Sequence, residues 1–288
     1  MGYATYEALL AAANEAGSLG EAVVTRECED TGRDREAVLA RLNAALDVME
    51  AAVETGLKGE ARSRSGLTGG DARRVAESGT HVVGAGLADA VAAAIAVAEV
   101  NASMGRVVAA PTGGSSGVLP GVLITVARQL GASRERVVLA LAAAGGIGSI
   151  IAAKASLSGA ASGCQAEIGA GAAMAAAAAA ELAGATPPQS GHAASLALQG
   201  LLGLVCDPVG GLVEVPCVMR NGTGAAVALA AAEMALAGVT FPIPFDEVAA
   251  AMGSVGRSLP PSLRETALGG LAATPTGRRL APSTGDPR

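Results

Sequence analysis

Apolar residues recur at helical spacing in the first third of the chain. The positions concerned, three or four residues apart, are Val38, Leu42, Leu46, Met49 and Val53. They follow Asp34, a residue type that caps helix N-termini, so the pattern predicts an amphipathic helix. We assign residues 1–80 to an N-terminal helical arm, whose polar and glycine-rich part, residues 56–80, is expected to form a connecting loop.

From residue 81 onward the pattern changes to apolar, alanine-rich segments separated by glycine, serine and proline. The predicted helices are 86–99, 118–131, 135–153, 165–183, 191–203, 224–237 and 246–256. We therefore predict an all-α fold, with residues 81–273 forming a compact helical domain whose Gly/Ser/Pro loops carry the functional site. Residues 274–288, rich in Pro, Gly, Ser and Thr, are expected to form a flexible tail.

The composition shows how such a core has to pack. Half of the residues are hydrophobic (51%), yet the chain contains no Trp, two Tyr and two Phe. Alanine and glycine fill little volume, so a dense interior requires helices that approach one another closely. Alanine also has the highest helix propensity of all residues, which supports the all-α prediction.

Charge and hydropathy exclude several classes of function. The net charge is −6, basic residues are not clustered and aromatic residues are scarce, so nucleic acid is not an expected partner. The uncharged stretch 137–153 is diluted by glycine and is interpreted as a buried core helix, not a membrane span. The N-terminus has no basic or apolar signal segment, so we expect a cytoplasmic protein in which cysteines are reduced.

Two hydroxyl-rich segments precede the predicted helix at residue 118. The first contains Asn101 and Ser103, and the second is the glycine-rich stretch 110–117. Its candidate substrate-binding residues are Thr112, Gly113, Ser115 and Ser116. Free backbone N–H groups and hydroxyls at a helix start favour an anion such as a substrate carboxylate. The same residues could equally serve only to cap the helix.

Three cysteines lie in loop-like segments of the helical domain. Cys164 follows a Gly/Ser loop that contains Ser156, while Cys206 and Cys217 stand beside prolines in stretches that disfavour regular helix. Thiolates at a helix start are ready metal ligands. The spacing does not match a structural zinc site, so three buried, inert cysteines are an equally valid interpretation at this point. Cys28 stands in a charged stretch and is interpreted as an incidental thiol.

The identity of the residues around these positions carries more information than their spacing. The motifs are NASMG (101–105), APTGGSSG (110–117), SLSGA (156–160), GCQAE (163–167), CDPVGG (206–211) and VPC (215–217). In this order they resemble the iron–sulfur L-serine dehydratases (L-serine ammonia-lyases), specifically the α chain of the two-chain type. The resemblance covers about residues 84–277.

This resemblance implies a [4Fe–4S] cluster bound by Cys164, Cys206 and Cys217, and conversion of L-serine to pyruvate and ammonia. Three thiolates leave one iron with an open position that can act as a Lewis acid toward the substrate hydroxyl. Single-chain members end in a further cysteine, whereas this sequence has none after Cys217. The family supplies the smaller domain as a separate β chain with a Ser/His-rich segment, so a hetero-oligomer is expected.

The remaining polar candidates carry less information. His81 is the candidate base by residue type, although a histidine beside a glycine-rich turn is more often structural. Arg220 and Asn221, beside Cys217, are candidates for contacting a substrate carboxylate or for capping a helix. His192, at a predicted helix start, is interpreted as a capping or surface residue.

Two other functions stay open on the sequence. Lys154 precedes a Ser/Gly loop, as a Schiff-base lysine of a pyridoxal-phosphate dehydratase does, but this function leaves three cysteines unexplained. A non-catalytic iron–sulfur scaffold or redox subunit is the second alternative, and the hydroxyl-rich loop 111–117 argues against it.

Overall fold

The computed structural model describes residues 2–281, and within them the chain is all-α, as the sequence predicts. The α-helices are α1 Tyr6–Ala16, α2 Leu19–Thr31, α3 Arg35–Leu57, α4 Asp71–Glu77, α5 Ala85–Ala102, α6 Val118–Leu130, α7 Arg134–Lys154, α8 Gly159–Ser162, α9 Ile168–Leu182, α10 Pro187–Gln199, α11 Cys217–Leu236, α12 Phe245–Ser258 and α13 Pro275–Leu280. The only extended pairing in this part of the chain is an isolated bridge between Cys206 and Arg264.

Helix α9 forms the centre of the domain and packs against α6, α7, α10 and α11. Every residue of α9 except Glu181 is buried, and most of them are alanine. A helix that is apolar on all sides is stable only when neighbouring helices surround it. The alanine-rich sequence therefore determines both the position of α9 and the short distances between its neighbours.

Several helix pairs approach so closely that only glycine fits between them. A Cβ atom on Gly56 in α3 would lie 2.2 Å from the carbonyl oxygen of Ala96 in α5. A Cβ atom on Gly117, just before α6, would lie 2.1 Å from the carbonyl oxygen of Ala94. These contacts bring α3 and α6 onto α5 and so place the loop before α6 beside the centre of the fold.

The N-terminal arm matches the predicted pattern in α3 and differs from it in the loop that follows. Asp34 caps α3, because its side chain accepts a hydrogen bond of 2.8 Å from the backbone N–H of Ala37. The predicted loop 56–80 is wrong in part, since it contains α4. The buried Glu99 carboxylate accepts a 2.7 Å hydrogen bond from the N–H of Asp71 at the start of α4. A local sequence pattern does not reveal such a distant cap.

Three predicted helix starts are also wrong, each near a proline or a glycine. Helix α10 begins at Pro187, where Thr186 and Gln189 form a capping box, not at residue 191. Helix α11 begins at Cys217, not at residue 224, since Pro216 precedes the first turn and costs it no hydrogen bond. A 3-10 turn covers 164–166, and α9 then starts at residue 168 instead of 165.

Two helices in the described part of the chain, α5 and α7, have the length and hydropathy of a membrane span. In the most apolar 18-residue stretch of each helix, 61% of the residues of α5 and 67% of those of α7 are buried inside the fold, which is typical of core helices in a globular protein. Of the predicted C-terminal tail, residues 275–280 form α13, and residues 282–288 lie outside the described residues.

Candidate active site

The three cysteines of the helical domain come from separate segments and are all buried. Cys164 begins the 3-10 turn before α9, Cys206 lies in the extended segment between α10 and α11, and Cys217 is the first residue of α11. Gly163 allows the sharp entry to Cys164, because its φ of 77° favours glycine. A Cβ atom there would also lie 2.8 Å from the carbonyl oxygen of Leu204.

The thiols of Cys164 and Cys206 are hydrogen-bonded to each other. This bond and the positive charge of Arg220 lower the pKa of Cys164. The same bond, followed by burial, raises the pKa of Cys206. Burial and, after it, a negative charge on Cys164 together raise the pKa of Cys217 to about 12. The three sulfur atoms therefore lie close enough for a negative charge on one to affect the others, and Arg220 is a cation beside them.

Arg220 joins the three cysteine-bearing segments. It lies three residues after Cys217 on α11, and its guanidinium is hydrogen-bonded to the Cys164 thiol. Its Nη1 donates to the carbonyl oxygen of Val205 (2.9 Å), and its Nη2 forms an ion pair with Asp207 Oδ1 (2.8 Å). Since Val205 and Asp207 flank Cys206, a single side chain contacts all three segments.

Asn221 connects Cys217 to the hydroxyl-rich loop. Its amide nitrogen donates to the carbonyl oxygens of Gly114 (2.8 Å) and Cys217 (2.9 Å), and its side-chain oxygen accepts from the N–H of Gly117 (2.9 Å). The side chain is fully buried. These three bonds use the hydrogen-bonding capacity of the amide within the protein and hold the loop 113–117 against the start of α11.

The loop before α6 directs its polar groups toward Glu167. The hydroxyl of Thr112 donates to Glu167 Oε1 at 2.6 Å, while the buried Ser115 hydroxyl lies 3.2 Å from that of Thr112. Burial raises the pKa of Glu167, which the Thr112 hydrogen bond partly offsets. Glu167 is not among the site residues predicted from the sequence. One indication of its role is present in the sequence, since Glu167 is the acidic residue of the motif GCQAE, three positions after Cys164.

The neighbouring residues of this loop complete its polar surface. Gly113 faces Asn101, because a Cβ atom on Gly113 would lie 3.4 Å from Asn101 Oδ1. The buried Ser116 hydroxyl has no hydrogen-bond partner among residues 2–281. Asn101 and the loop therefore lie side by side at the end of α5.

Two predicted serines form local hydrogen bonds. The Ser103 hydroxyl donates to the carbonyl oxygen of Val100 (2.9 Å) at the end of α5. Ser156, in the loop between α7 and α8, accepts from the N–H of Ser158 (3.1 Å). Both hydroxyls therefore stabilise their own loops, and their predicted role in substrate binding stays a prediction.

Within residues 2–281, no hydrogen bond or ion pair joins the other candidates to the cysteines. His81 is exposed in the loop before α5. Lys154 forms an ion pair with Asp246 at 3.4 Å and lines a separate cleft with His192, whose Nδ1 accepts from the N–H of Phe241. Cys28 is partly buried on α2. The sequence interpretation of Cys28 as an incidental thiol stays a prediction.

The three buried thiols are of the donor type that iron–sulfur clusters take. Among residues 2–281, no group of three or more His, Cys, Asp or Glu side chains has the arrangement that holds one ion. In an iron–sulfur cluster each thiolate binds a different iron atom, so the ligands surround the cluster and do not meet at one point. Three buried cysteines, a guanidinium beside them and glycine-rich backbone fit this donor set.

The sequence is similar to known proteins over most of its length. Residues 14–272 match the family model described as "Serine dehydratase alpha chain". The chain is 51% identical to the probable L-serine dehydratase, alpha chain, of Bacillus subtilis (strain 168) over 265 residues, which are 91% of this chain and 88% of that protein. It is 43% identical to the L-serine dehydratase, alpha chain, of Peptoniphilus asaccharolyticus over 271 residues, 93% of each.

A longer relative shows a different coverage. The L-serine dehydratase of Streptomyces coelicolor (strain ATCC BAA-471 / A3(2) / M145) is 39% identical over 278 residues, which are 94% of this chain and 60% of that protein. The proteins named alpha chain are thus covered nearly completely, and the longer relative only in part. The family match and these identities establish that the chain belongs to the serine dehydratase alpha chain family of lyases.

Proposed function

We propose that the chain is the cluster-binding subunit of an L-serine dehydratase that forms pyruvate and ammonia. The proposal depends on one observation above all: Arg220 and Asn221 hold three cysteine-bearing segments and a hydroxyl-rich loop together around one polar centre. The family membership supports serine as the substrate. In this proposal Cys164, Cys206 and Cys217 hold a [4Fe–4S] cluster.

When bound, such a cluster supplies a Lewis-acidic iron that favours the departure of the substrate hydroxyl. The overall reaction balances without an oxidant or a reductant. Loss of the α-proton and the β-hydroxyl releases water and leaves 2-aminoacrylate, which tautomerises to an imine. Hydrolysis of the imine takes up the water again and yields pyruvate and ammonia.

The residues of the chain bind and orient the substrate in this reaction. Thr112 and Ser115 hold the loop before α6 in shape, since the Thr112 N–H donates to the Ser115 hydroxyl (3.3 Å). The backbone N–H groups around Gly113, just before α6, are then suited to the serine carboxylate. The Ser116 hydroxyl has no partner among residues 2–281 and is free to donate to the substrate. Asn101, which lies beside Gly113, and the loop residues Ser103 and Ser156 are the further substrate contacts in this proposal.

Arg220 and Asn221 support the site from behind in this proposal. Their polar groups are engaged with Val205, Asp207 and the carbonyl oxygens of Gly114 and Cys217. They therefore fix the positions of the thiols and of the loop. The predicted contact of these two residues with the substrate carboxylate stays a prediction.

A separate β chain completes the enzyme in this proposal, and the two chains form a hetero-oligomer in the cytoplasm. A longer relative supports the separate β chain, because 40% of the Streptomyces coelicolor protein has no counterpart in this chain. His81 is the candidate base of this chain, and its exposed loop is free to contact the partner. The base can equally come from the β chain.

Production with the β chain and purification without oxygen tests the proposal. We expect formation of pyruvate and ammonia from L-serine in equal amounts, with loss of activity in air. The variant Lys154→Ala is a control for pyridoxal-phosphate chemistry, and it should keep this activity. Absence of turnover in the anaerobic complex, or an activity that requires Lys154 and added pyridoxal phosphate, would contradict the proposal.

A further inference from the structure

The Glu167 carboxylate lies beside Thr112 of the hydroxyl-rich loop and has no charged partner there. The Thr112 hydroxyl is its one hydrogen-bond donor among residues 2–281, and no ion pair of Glu167 occurs there. The charged side chain that shifts its pKa is Glu265, which is also acidic. A partly buried carboxylate in a negative environment is costly to ionise unless a cation reaches it.

The other buried carboxylates of the domain each have structural partners. Glu181 accepts from the N–H groups of Leu19 and Gly20 at the start of α2, and Glu99 caps α4 in the same way. Asp207 is paired with Arg220. Glu167 thus differs from them, because the fold supplies one neutral hydroxyl and leaves the rest of its charge unbalanced.

Two glycines lie directly against the Glu167 carboxylate. A Cβ atom on Gly159 would lie 2.5 Å from Glu167 Oε2 and 3.1 Å from the sulfur of Cys206. A Cβ atom on Gly114 would lie 3.2 Å from Glu167 Oε1. The carboxylate therefore lies between a cysteine of the proposed cluster and the hydroxyl-rich loop.

We propose that Glu167 binds the ammonium group of the amino-acid substrate and so makes the site specific for α-amino acids over hydroxy acids. This inference rests on the proposed function. The amine, the carboxylate and the β-hydroxyl of serine then have three different receptors: Glu167, the loop at Thr112 and the cysteine-bound metal. Thr112 orients the Glu167 carboxylate through its hydroxyl.

The test compares L-serine with 3-hydroxypropionate, which has the same skeleton without the amine. Both are measured on the anaerobic complex with Glu167→Gln and with the unsubstituted chain. We expect Glu167→Gln to raise the KM for L-serine about 10- to 100-fold, the range of one charge-assisted hydrogen bond. The inhibition constant of 3-hydroxypropionate should stay within about twofold, since this ligand makes no such bond.

Glu181→Gln is the matched control, because Glu181 is a second half-buried glutamate, lies on α9 and is outside the site. It should change stability and leave both constants unaltered. Equal weakening of both ligands by Glu167→Gln, or a fall in kcat alone, would overturn the proposal, the latter result indicating a role in proton transfer. If the unsubstituted complex does not turn over serine, calorimetric titration with both ligands still tests Glu167 separately from the proposed function.

Discussion

Arg220 and Asp207 form an ion pair, 2.8 Å between Nη2 and Oδ1, that links the helix of Cys217 to the segment of Cys206. The Asp207 side chain is only 3% exposed, and its second oxygen accepts a 2.7 Å hydrogen bond from the N–H of Leu271. The pair therefore connects two cysteine-bearing segments and the C-terminal loop in a region with little water.

The loss of this pair should destabilise the fold and the cluster site together. We expect Arg220→Ala to lower the free energy of unfolding by about 3–5 kcal/mol, because it leaves the buried Asp207 carboxylate without its cation. Arg220→Lys should lower the free energy of unfolding by less, since lysine keeps the positive charge but cannot form the same set of hydrogen bonds. Urea titration measures both variants, and equal stability of Arg220→Ala and the unsubstituted chain would contradict the assignment.

Removal of the Asn221 amide should disturb the loop before α6. Asn221→Ala breaks three hydrogen bonds to buried backbone groups, with an expected cost of about 1–3 kcal/mol for each group left unsatisfied. Hydrogen exchange should show faster exchange at the N–H of Gly117. Thr223→Ala on the same helix removes one exposed hydroxyl and is the control, with an expected change within about 0.5 kcal/mol.

Two glycine substitutions should have opposite effects on stability. Gly56→Ala places a Cβ atom 2.2 Å from the carbonyl oxygen of Ala96, so α3 and α5 must separate. We expect the free energy of unfolding to fall by several kcal/mol, or by about 1–3 kcal/mol if the helices can shift apart. Gly145 in α7 has no atom within 4 Å of its Cβ position, and Gly145→Ala should stabilise by about 0.4–1 kcal/mol. Thermal unfolding distinguishes the two, and a similar change in both would refute the close packing of α3 on α5.

Glu181 should make stability depend on pH in the acidic range. Burial raises its pKa above the ordinary value of 4.5, although the N–H groups of Leu19 and Gly20 oppose the shift. The folded protein therefore holds this proton more tightly than the unfolded chain does. The resulting contribution to stability is present below pH 4.5 and is lost as the pH rises through the folded pKa.

Glu181→Gln removes this titration and gives the measurement. The difference in unfolding free energy between the unsubstituted chain and Glu181→Gln should shift against the unsubstituted chain as the pH rises from 4.5 toward neutrality. A difference that stays constant over this range would show that Glu181 is not buried as described.

The fold was largely predictable because alanine and glycine leave few alternatives to closely packed helices. The ranges 86–99, 118–131, 135–153 and 246–256 match α5, α6, α7 and α12 within three residues. The start of α11 at Cys217 was missed, since a cysteine after proline gives no local signal for helix or loop.

The sequence predicted which residue types belong to the candidate site, but not the role of each residue. The three cysteines and the hydroxyl-rich loop were found from motifs, and the structure brings them together with Arg220 and Asn221. The long-range contacts decide what each side chain does. Glu167 meets Thr112 across 55 positions of the chain, so its importance depends on packing that no local pattern records.

Iron and sulfide analysis of variants with one cysteine replaced tests the central claim most directly. The anaerobically purified complex should contain about four iron and four sulfide per chain. Cys164→Ser, Cys206→Ser and Cys217→Ser should each lose most of this content, while Cys28→Ser, on α2, should keep it. Full iron content in any of the first three variants, or its loss in Cys28→Ser alone, would contradict a cluster bound by Cys164, Cys206 and Cys217.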